Sequence, residues 1–262
     1  MIRALYTAAS GMSAQQANLD TVANNLANSA TAGFRARRMQ FEDMIYQNLV
    51  APGSAASTLT TSAGLQIGLG TKATASEVIM TQGDFNQTGN TLDLAFQGSG
   101  FFQVQLPNGT IAYTRDGNFN MNNAGTVVDS NGNQLLPALT IPANATSVTI
   151  STYGVVSATL PGQTASTQLG TIQLATFPNT GGLNSLGGNL MQPTSSSGNA
   201  ITDVPGGASG MGTLQQGYLE NSNVDVVGEF VNMIVAQRAY ESNSKVVHVA
   251  DDMYSQINAM IR

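Results

Sequence analysis

The chain contains neither cysteine nor tryptophan, and only 9% of its 262 residues are charged. Without cysteine there is no disulfide framework, no thiolate metal site and no thiol redox chemistry. The charge content is far below the roughly 25% of an ordinary globular protein. Polar bulk comes instead from Ser, Thr, Asn and Gln. Aromatic residues make up 6%. No apolar run approaches the ~18 residues of a membrane-crossing helix. A formal charge of −6 opposes a general nucleic-acid binder, which presents a basic surface. The segment from Met1 turns polar at Gln15, Gln16 and Asn18, with no apolar core of the kind a cleaved secretory signal needs. The expectation is a protein that stays in the cytoplasm or leaves by a route using no cleaved signal. The length suggests one large or two modest units.

What is present is organised as two helical ends around a β-rich middle. Ile2, Leu5, Ala9, Met12, Gln16, Leu19, Ala23 and Leu26 follow the alternating three- and four-residue spacing of a heptad stripe. That spacing predicts a helix over 2–29, with Gly11 inside it costing about 1 kcal/mol relative to Ala. Near the other end Val226, Met233, Tyr240, Val247, Tyr254 and Ile261 recur every seven residues. A second column holds Ala239, Val246, Met253 and Met260. The second helix is expected over 224–261, opened by a capping box from Ser222 to Asp225. Its apolar face is wider than a two-helix seam requires, and such faces mark interaction sites.

The middle reads as antiparallel β. Leu92 to Phe96 forms a strand, and Phe101–Leu106 turns through Pro107-Asn108-Gly109 into Thr110–Thr114. Asp116-Gly117, Asn123-Ala124-Gly125 and Asn131-Gly132 mark further turns. The fold class is therefore α+β. The terminal helices, 1–30 and 224–262, pair as a coiled coil; an extended intermediate region covers 31–70 and 215–223; an all-β outer domain covers 71–214. Residues 47–63 are too long for a tight loop and read as a linker or an extended arm.

No catalytic, cofactor or metal site is expected. His248 is the only histidine and has no adjacent nucleophile on its helix. Asp251 and Asp252 are neighbours in sequence, so on a helix they diverge. Gly98-Ser99-Gly100-Phe101 lacks the third glycine of a phosphate loop and precedes a strand, so it reads as a tight turn. Asp129-Ser130-Asn131-Gly132 lacks the later bidentate Glu of a calcium loop and reads as a hairpin turn. Arg35, Arg37 and Arg38 read as an interface patch. The surfaces left over are the helix stripes, and these favour self-assembly. The residues expected to form the seam are Leu5, Met12, Leu19, Leu26, Met233, Tyr240, Val247 and Tyr254. Asn24, Asn25 and Asn28 are expected to hydrogen-bond near the helix end, where Gly33 lets the chain depart.

Three separated stretches resemble the bacterial flagellar rod and hook proteins. The first is Ala23-Asn24-Asn25-Leu26-Ala27-Asn28 with Thr31-Ala32-Gly33-Phe34-Arg35. The second comprises Asp93 to Phe102 and Tyr113-Thr114-Arg115-Asp116-Gly117. The third is Glu220 to Asp225, then Glu229 to Ile234, Gln237-Arg238-Ala239-Tyr240 and Asn243-Ser244-Lys245. The segment from Phe41 to Gln47, Pro52-Gly53 and Ser62 to Gly68 is similar to the distal-rod branch of that family. The resemblance implies a non-enzymatic subunit of a stiff helical tube that transmits motor torque to the hook and houses an export channel. It implies localisation in the basal-body rod, export through the flagellar type III channel without a cleaved signal, and no cofactor. Its partners would be further copies of itself, proximal-rod and hook-family axial proteins, the surrounding ring proteins, the export apparatus and a rod cap, with no nucleic acid and no direct membrane insertion. Phe34, Gln237 and Arg238 join the interface on this reading. Tyr46, Pro52, Gly53 and Gly64 mark a rod-specific arm near 46–64. A hook or proximal-rod paralogue, and a β-rich surface adhesin or carbohydrate-active protein, remain the alternatives.

Overall fold

A computed structural model describes residues 2–50, 55–56, 59–60, 64–162, 165–207 and 210–260. By its contacts the chain divides into two compact units. The first comprises Met1–Ala27, Arg37–Val78 and Asp225–Arg262; the second comprises Asn28–Ala36 and Ile79–Val224.

The first unit holds two helices, α1 (Ile2–Ala27) and α2 (Val226–Met260), about 39 and 52 Å long at 1.5 Å per residue. Asp225 caps α2, its side-chain oxygen accepting from the Val227 amide at 3.1 Å. This corrects the expected capping box: Ser222 lies three residues before the cap and bonds the Val224 amide instead. Aspartate suits the position because it satisfies a free amide and opposes the positive end of the helix dipole. Gly11 of α1 faces Asn243 of α2, and a Cβ on it would lie 2.8 Å from the Asn243 amide nitrogen. Asn25 of α1 donates to Glu229 of α2 at 3.0 Å. As α1 advances from Gly11 to Asn25, α2 runs back from Asn243 to Glu229, so the pair is antiparallel.

The strands of this unit are β1 (Arg37–Asp43), β2 (Tyr46–Val50), β3 (Ala55–Ala56), β4 (Leu59–Thr60), β5 (Leu65–Gly68) and β6 (Thr71–Val78). They pair antiparallel as β1 with β6, β2 with β5 and β3 with β4. The described strands of segment 37–78 therefore run out and back in antiparallel pairs. Two side chains of α1 fasten its base. The Asn25 amide accepts from the Arg37 N–H at 2.9 Å and donates to the Arg37 carbonyl at 2.8 Å, as a neighbouring strand would. Ser10 Oγ accepts from the Thr71 amide at 3.3 Å.

The second unit is almost wholly β: β7 (Phe85–Gln87), β8 (Leu94–Gln97), β9 (Phe101–Gln105), β10 (Ile111–Thr114), β11 (Asn120–Met121), β12 (Val127–Val128), β13 (Gln134–Leu136), β14 (Ser147–Ile150), β15 (Val155–Thr159), β16 (Thr167–Thr171), β17 (Leu174–Thr176), β18 (Asn184–Gly187), β19 (Leu190–Gln192), β20 (Ile201–Asp203), β21 (Thr213–Gln216) and β22 (Tyr218–Glu220). Among the described residues the largest sheet runs β11-β12-β13-β9-β10-β19-β18, with β17 joining β9 and β20 joining β17. The pairs β8–β21 and β7–β22 bring the late strands back to the early ones.

β9 lies at the centre of the sheet, with apolar side chains leaving both its faces. Successive strand residues point to opposite sides. Phe102 and Val104 enter the main core with Leu94, Phe96, Phe119 and Leu135, while Phe101 enters a second cluster with Tyr113, Phe177 and Met191. The same split recurs at Ala112/Tyr113, Leu174/Ala175 and Leu190/Met191. Phe102 meets Phe96 edge-on at 5.0 Å and Phe119 at 5.1 Å, the arrangement the ring quadrupole favours. Each such fully buried side chain contributes about 1.5–3 kcal/mol.

Turn chemistry follows the sequence. The Asp129 carboxylate accepts from the Asn131 and Asn133 amides, each at 2.8 Å, and from the Asn133 side chain. It closes a hairpin turn of the Asx type. Asp116 accepts from the Asn118 amide in the same manner. Burial pushes the Asp116 carboxyl above its ordinary value of 3.8, with the nearby charges of Asp129 and Asp93 adding to the rise; the bonds from Asn118 and Asn189 oppose it. A carboxyl raised in the folded state binds its proton more tightly there than in the unfolded chain. Its contribution to stability is therefore greatest at low pH and is lost as pH climbs from the ordinary value through the raised one. Asp116→Asn keeps the acceptor and removes the charge. Its melting temperature is expected to exceed that of the natural chain at pH 7 and to match it at pH 3, measured by calorimetry.

Candidate functional site: the exposed helix face

Helix α2 buries little. Only Ala236 and Ala250 are fully covered, and Glu229, Met233, Asn243, Val247 and Tyr254 are half-buried. These positions fall on one line with three- and four-residue spacing, the side turned to α1. On α1 the buried residues are Ala8, Ala14, Val22 and Asn25, with Gly11 beside them. The most deeply covered positions of the two helices are thus small or polar apart from Val22, while Met233, Val247 and Tyr254 flank them half-buried.

The large apolar residues are left facing outward. Val227, Val231, Ile234 and Val235 are 72, 55, 57 and 62% exposed. Further along, Val246, Val249, Met253 and Met260 are exposed as well. On α1 the outward residues include Ile2 and Tyr6, on the paired strands Tyr46, Leu49 and Leu65, and between β1 and β2 Ile45. Isolated exposed apolar residues are ordinary, but a run at helical spacing is an interaction surface. The charges of α2 do not interrupt the stretch from Val226 to Val235, where Glu229 is the only ionisable residue.

The structure sorts the residues predicted from sequence. Leu5, Met12, Leu19 and Leu26 are half-buried, as are Met233, Val247 and Tyr254; Tyr240 is exposed. The alternate column of the α1 stripe, at Ile2, Ala9, Gln16 and Ala23, is exposed. Asn24 is exposed. Asn25 is buried, and its amide bonds inside the chain to Arg37 and Glu229. Asn28 is half-buried and accepts from Thr31 Oγ1 at 3.3 Å. Gly33 adopts φ +68° and donates its amide to the Glu220 carbonyl at 2.8 Å; a Cβ there would lie 2.6 Å from the Asp116 nitrogen. Phe34 is half-buried, and Gln237 and Arg238 are exposed, bonding Glu241 at 3.5 Å and facing it at 3.7 Å. Tyr46 is exposed and Gly64 partly covered, while Pro52 and Gly53 lie outside the described residues.

The arginine patch is the expectation that the structure overturns. Arg35 is buried and paired with Glu220 at 2.6 Å in the second unit. Arg38 is exposed on β1 and paired with Glu77 at 2.9 Å. The Arg35 guanidinium finds a buried carboxylate, so it is withdrawn from any surface. Arg115, named from the sequence only within the stretch Tyr113 to Gly117, joins the same carboxylate at 3.2 Å. It also donates to the Gly98 carbonyl and lies 4.3 Å from the Phe96 ring centre. Burial and the neighbouring Arg35 charge lower Arg115 from the ordinary arginine value to about 10, against the opposing pull of Glu220. Sequence reasoning passed over this cluster because its members lie 80 and 105 positions apart, a separation that no periodicity registers.

Among the described residues no helix is long and apolar enough to cross a membrane, and none of the His, Asp and Glu groups forms a metal-holding cluster. The antiparallel terminal helices leave large apolar side chains exposed, the kind of surface that marks contact with other chains. Three family models match in chain order: "Flagella basal body rod protein" over residues 5–35, "Flagellar hook protein FlgE/F/G D1 domain" over 95–158, and "Flagellar basal body rod FlgEFG protein C-terminal" over 215–260. The flagellar basal-body rod protein FlgG of Buchnera aphidicola subsp. Acyrthosiphon pisum is 45% identical over 99% of this chain and all of its own length. That of Borreliella burgdorferi is 45% identical over the full length of both. That of Bacillus subtilis is 38% identical over 98% of each. The chain belongs to the FlgG family of flagellar basal-body rod proteins, which is structural and not enzymatic.

Proposed function

We propose that the chain is a structural subunit of the flagellar distal rod, polymerising into a stiff hollow helical tube that transmits motor torque to the hook and encloses the export channel. The observation that carries this reading is the outward apolar face of α2, from Val227 through Val235. In a single chain it remains in water; copies stacked along a helix remove it from water. Contacts of a head-to-tail kind do not close on themselves and so propagate a filament. The terminal helices pair as a coiled coil and line the tube, the β unit faces outward, and segment 46–64 braces neighbouring copies. Leu5, Met12, Leu19 and Leu26 with Met233, Tyr240, Val247 and Tyr254 hold the pairing, and the outward residues join the copies. Proximal-rod and hook-family axial proteins continue the tube, ring proteins surround it, and the export apparatus and rod cap deliver and place subunits.

Concentrated purified chain, seeded with basal-body rods, is expected to form straight hollow tubes in electron micrographs. Deletion of residues 47–63 is expected to give curved tubes in place of straight ones. Material that remains single-copy under seeding would overturn the reading, and straight tubes from the deletion would remove the bracing role.

A further inference from the structure

Glu220 ends β22, five residues before the cap of α2, and is 2% exposed. Its carboxylate serves three donors. Oε1 accepts from Arg35 Nη2 at 2.6 Å and from the Gly83 amide at 3.0 Å; Oε2 accepts from Arg115 Nη1 at 3.2 Å. Arg35 is 3% and Arg115 6% exposed, so two buried cations share one buried anion. The Nε–H of each arginine has no partner among the described residues, leaving no spare acceptor to replace the carboxylate.

The backbone repeats the arrangement. The Gly33 amide donates to the Glu220 carbonyl. The Ala36 amide donates to Asn223 Oδ1 at 2.7 Å, and the Asn223 side chain donates to the Ile79 and Thr81 carbonyls. Segment 28–36, which follows α1, is thus held to the β unit in part through segment 218–224, which precedes α2, beside direct bonds from the Asn189 side chain to the Ala32 carbonyl and from the Ile79 amide to the Ala36 carbonyl. The sheet centred on β9 pairs with no strand of either segment, although the Arg115 guanidinium lies against the Phe96 and Phe101 rings.

We infer that Glu220 is a positioning residue that makes the docking of segment 28–36 onto the β unit conditional on the arrival of segment 218–224. Without the carboxylate, Arg35 and Arg115 would be buried like charges, a state that proteins avoid at large cost. Segment 28–36 therefore docks stably only once the chain near its other end is in place, its direct bonds to Asn189 and Ile79 not offsetting two unpaired buried arginines. The backbone pairing of the β9-centred sheet, by contrast, needs neither segment. The inference concerns the single chain and stands apart from how copies assemble.

Amide hydrogen exchange on the full-length chain tests it, because exchange reads local opening segment by segment. Glu220→Gln keeps the shape and removes the charge. Exchange at Gly33 and Ala36 is expected to accelerate by about 100-fold or more, although neither amide bonds the Glu220 side chain. Amides of β9 and β13 are expected to change by less than about threefold. Glu220→Asp, which retains the charge on a shorter arm, is expected to fall in between. Unchanged protection at Gly33 and Ala36 would overturn the inference. So would equal loss throughout β9 and β13, including outright unfolding, since Glu220 would then hold the whole unit and not the one segment.

Discussion

Val231→Asp combined with Ile234→Asp is expected to raise the concentration needed for assembly by about 100-fold or more, equivalent to roughly 2.7 kcal/mol. The two residues sit three positions apart on α2 with more than half of each side chain in water. In the proposed tube that remaining surface is buried, and an aliphatic side chain of this size is worth about 1.5–3 kcal/mol on full burial. The carboxylates lose that term and add desolvation of charge. In the single chain the change is small, because exposed substitutions usually stay within about 0.5 kcal/mol and Val and Asp have similar helix propensities. Sedimentation reads the assembly threshold and circular dichroism the melting. Met233→Asp and Val247→Asp should behave differently. Both residues are half-buried on the side facing α1, so they should lower the melting of the single chain as well as its assembly. Tubes forming normally from the Val231/Ile234 double variant would show that the outward face is not the contact.

Gly117→Ala is expected to destabilise the β unit by about 3 kcal/mol or more, at the upper end of what forced overpacking costs. A Cβ at Gly117 would overlap the carbonyl oxygen of Leu94. The same two residues are tied by the Leu94 amide donating to the Gly117 carbonyl at 3.0 Å, and the Phe119 amide shares that acceptor. Leu94 is 2% exposed and opens β8, which pairs with β21. Neither backbone has room to retreat without opening that pair or moving Phe119 out of the core. At about 2–4 °C per kcal/mol for a unit of this size, the melting temperature should fall by roughly 6–12 °C. Scanning calorimetry measures it, and an unchanged transition would contradict the close approach. A flexible neighbour would soften such a clash, as the Asn243 side chain does opposite Gly11; a backbone oxygen does not yield.

Much of this molecule is legible in its residues. The seven-residue recurrence at Met233, Tyr240, Val247 and Tyr254 places them on one side of a long helix, and the structure keeps Met233, Val247 and Tyr254 half-buried there. The companion column is another matter. Val246, Met253 and Met260 repeat with equal regularity but point into water, while Ala236, Asn243 and Ala250 hold the approach to α1. Hydrophobic spacing identifies a face without saying whether its partner is the same chain, another copy or solvent. The turn at Asp129 follows from local Asx chemistry and needs no distant residue. Residues 71–78 read as the start of the β-rich middle, yet β6 pairs with β1 and groups with the helices, because strand pairing is a choice among distant edges.

The sequence by itself determined the two helical ends, the β-rich middle, the absence of thiol chemistry and the flagellar kinship, since each rests on composition, short-range period or contiguous motif. Tertiary structure alone decided that Arg35 is buried and not a surface cation, that Asn25 imitates a strand edge toward Arg37, and that Arg115 and Glu220 complete one charge cluster. Those outcomes depend on which residues, up to 185 positions apart, come within about 3 Å of one another, the reach of a hydrogen bond, and desolvation then gives a paired charge a fate that its neighbours in sequence do not share.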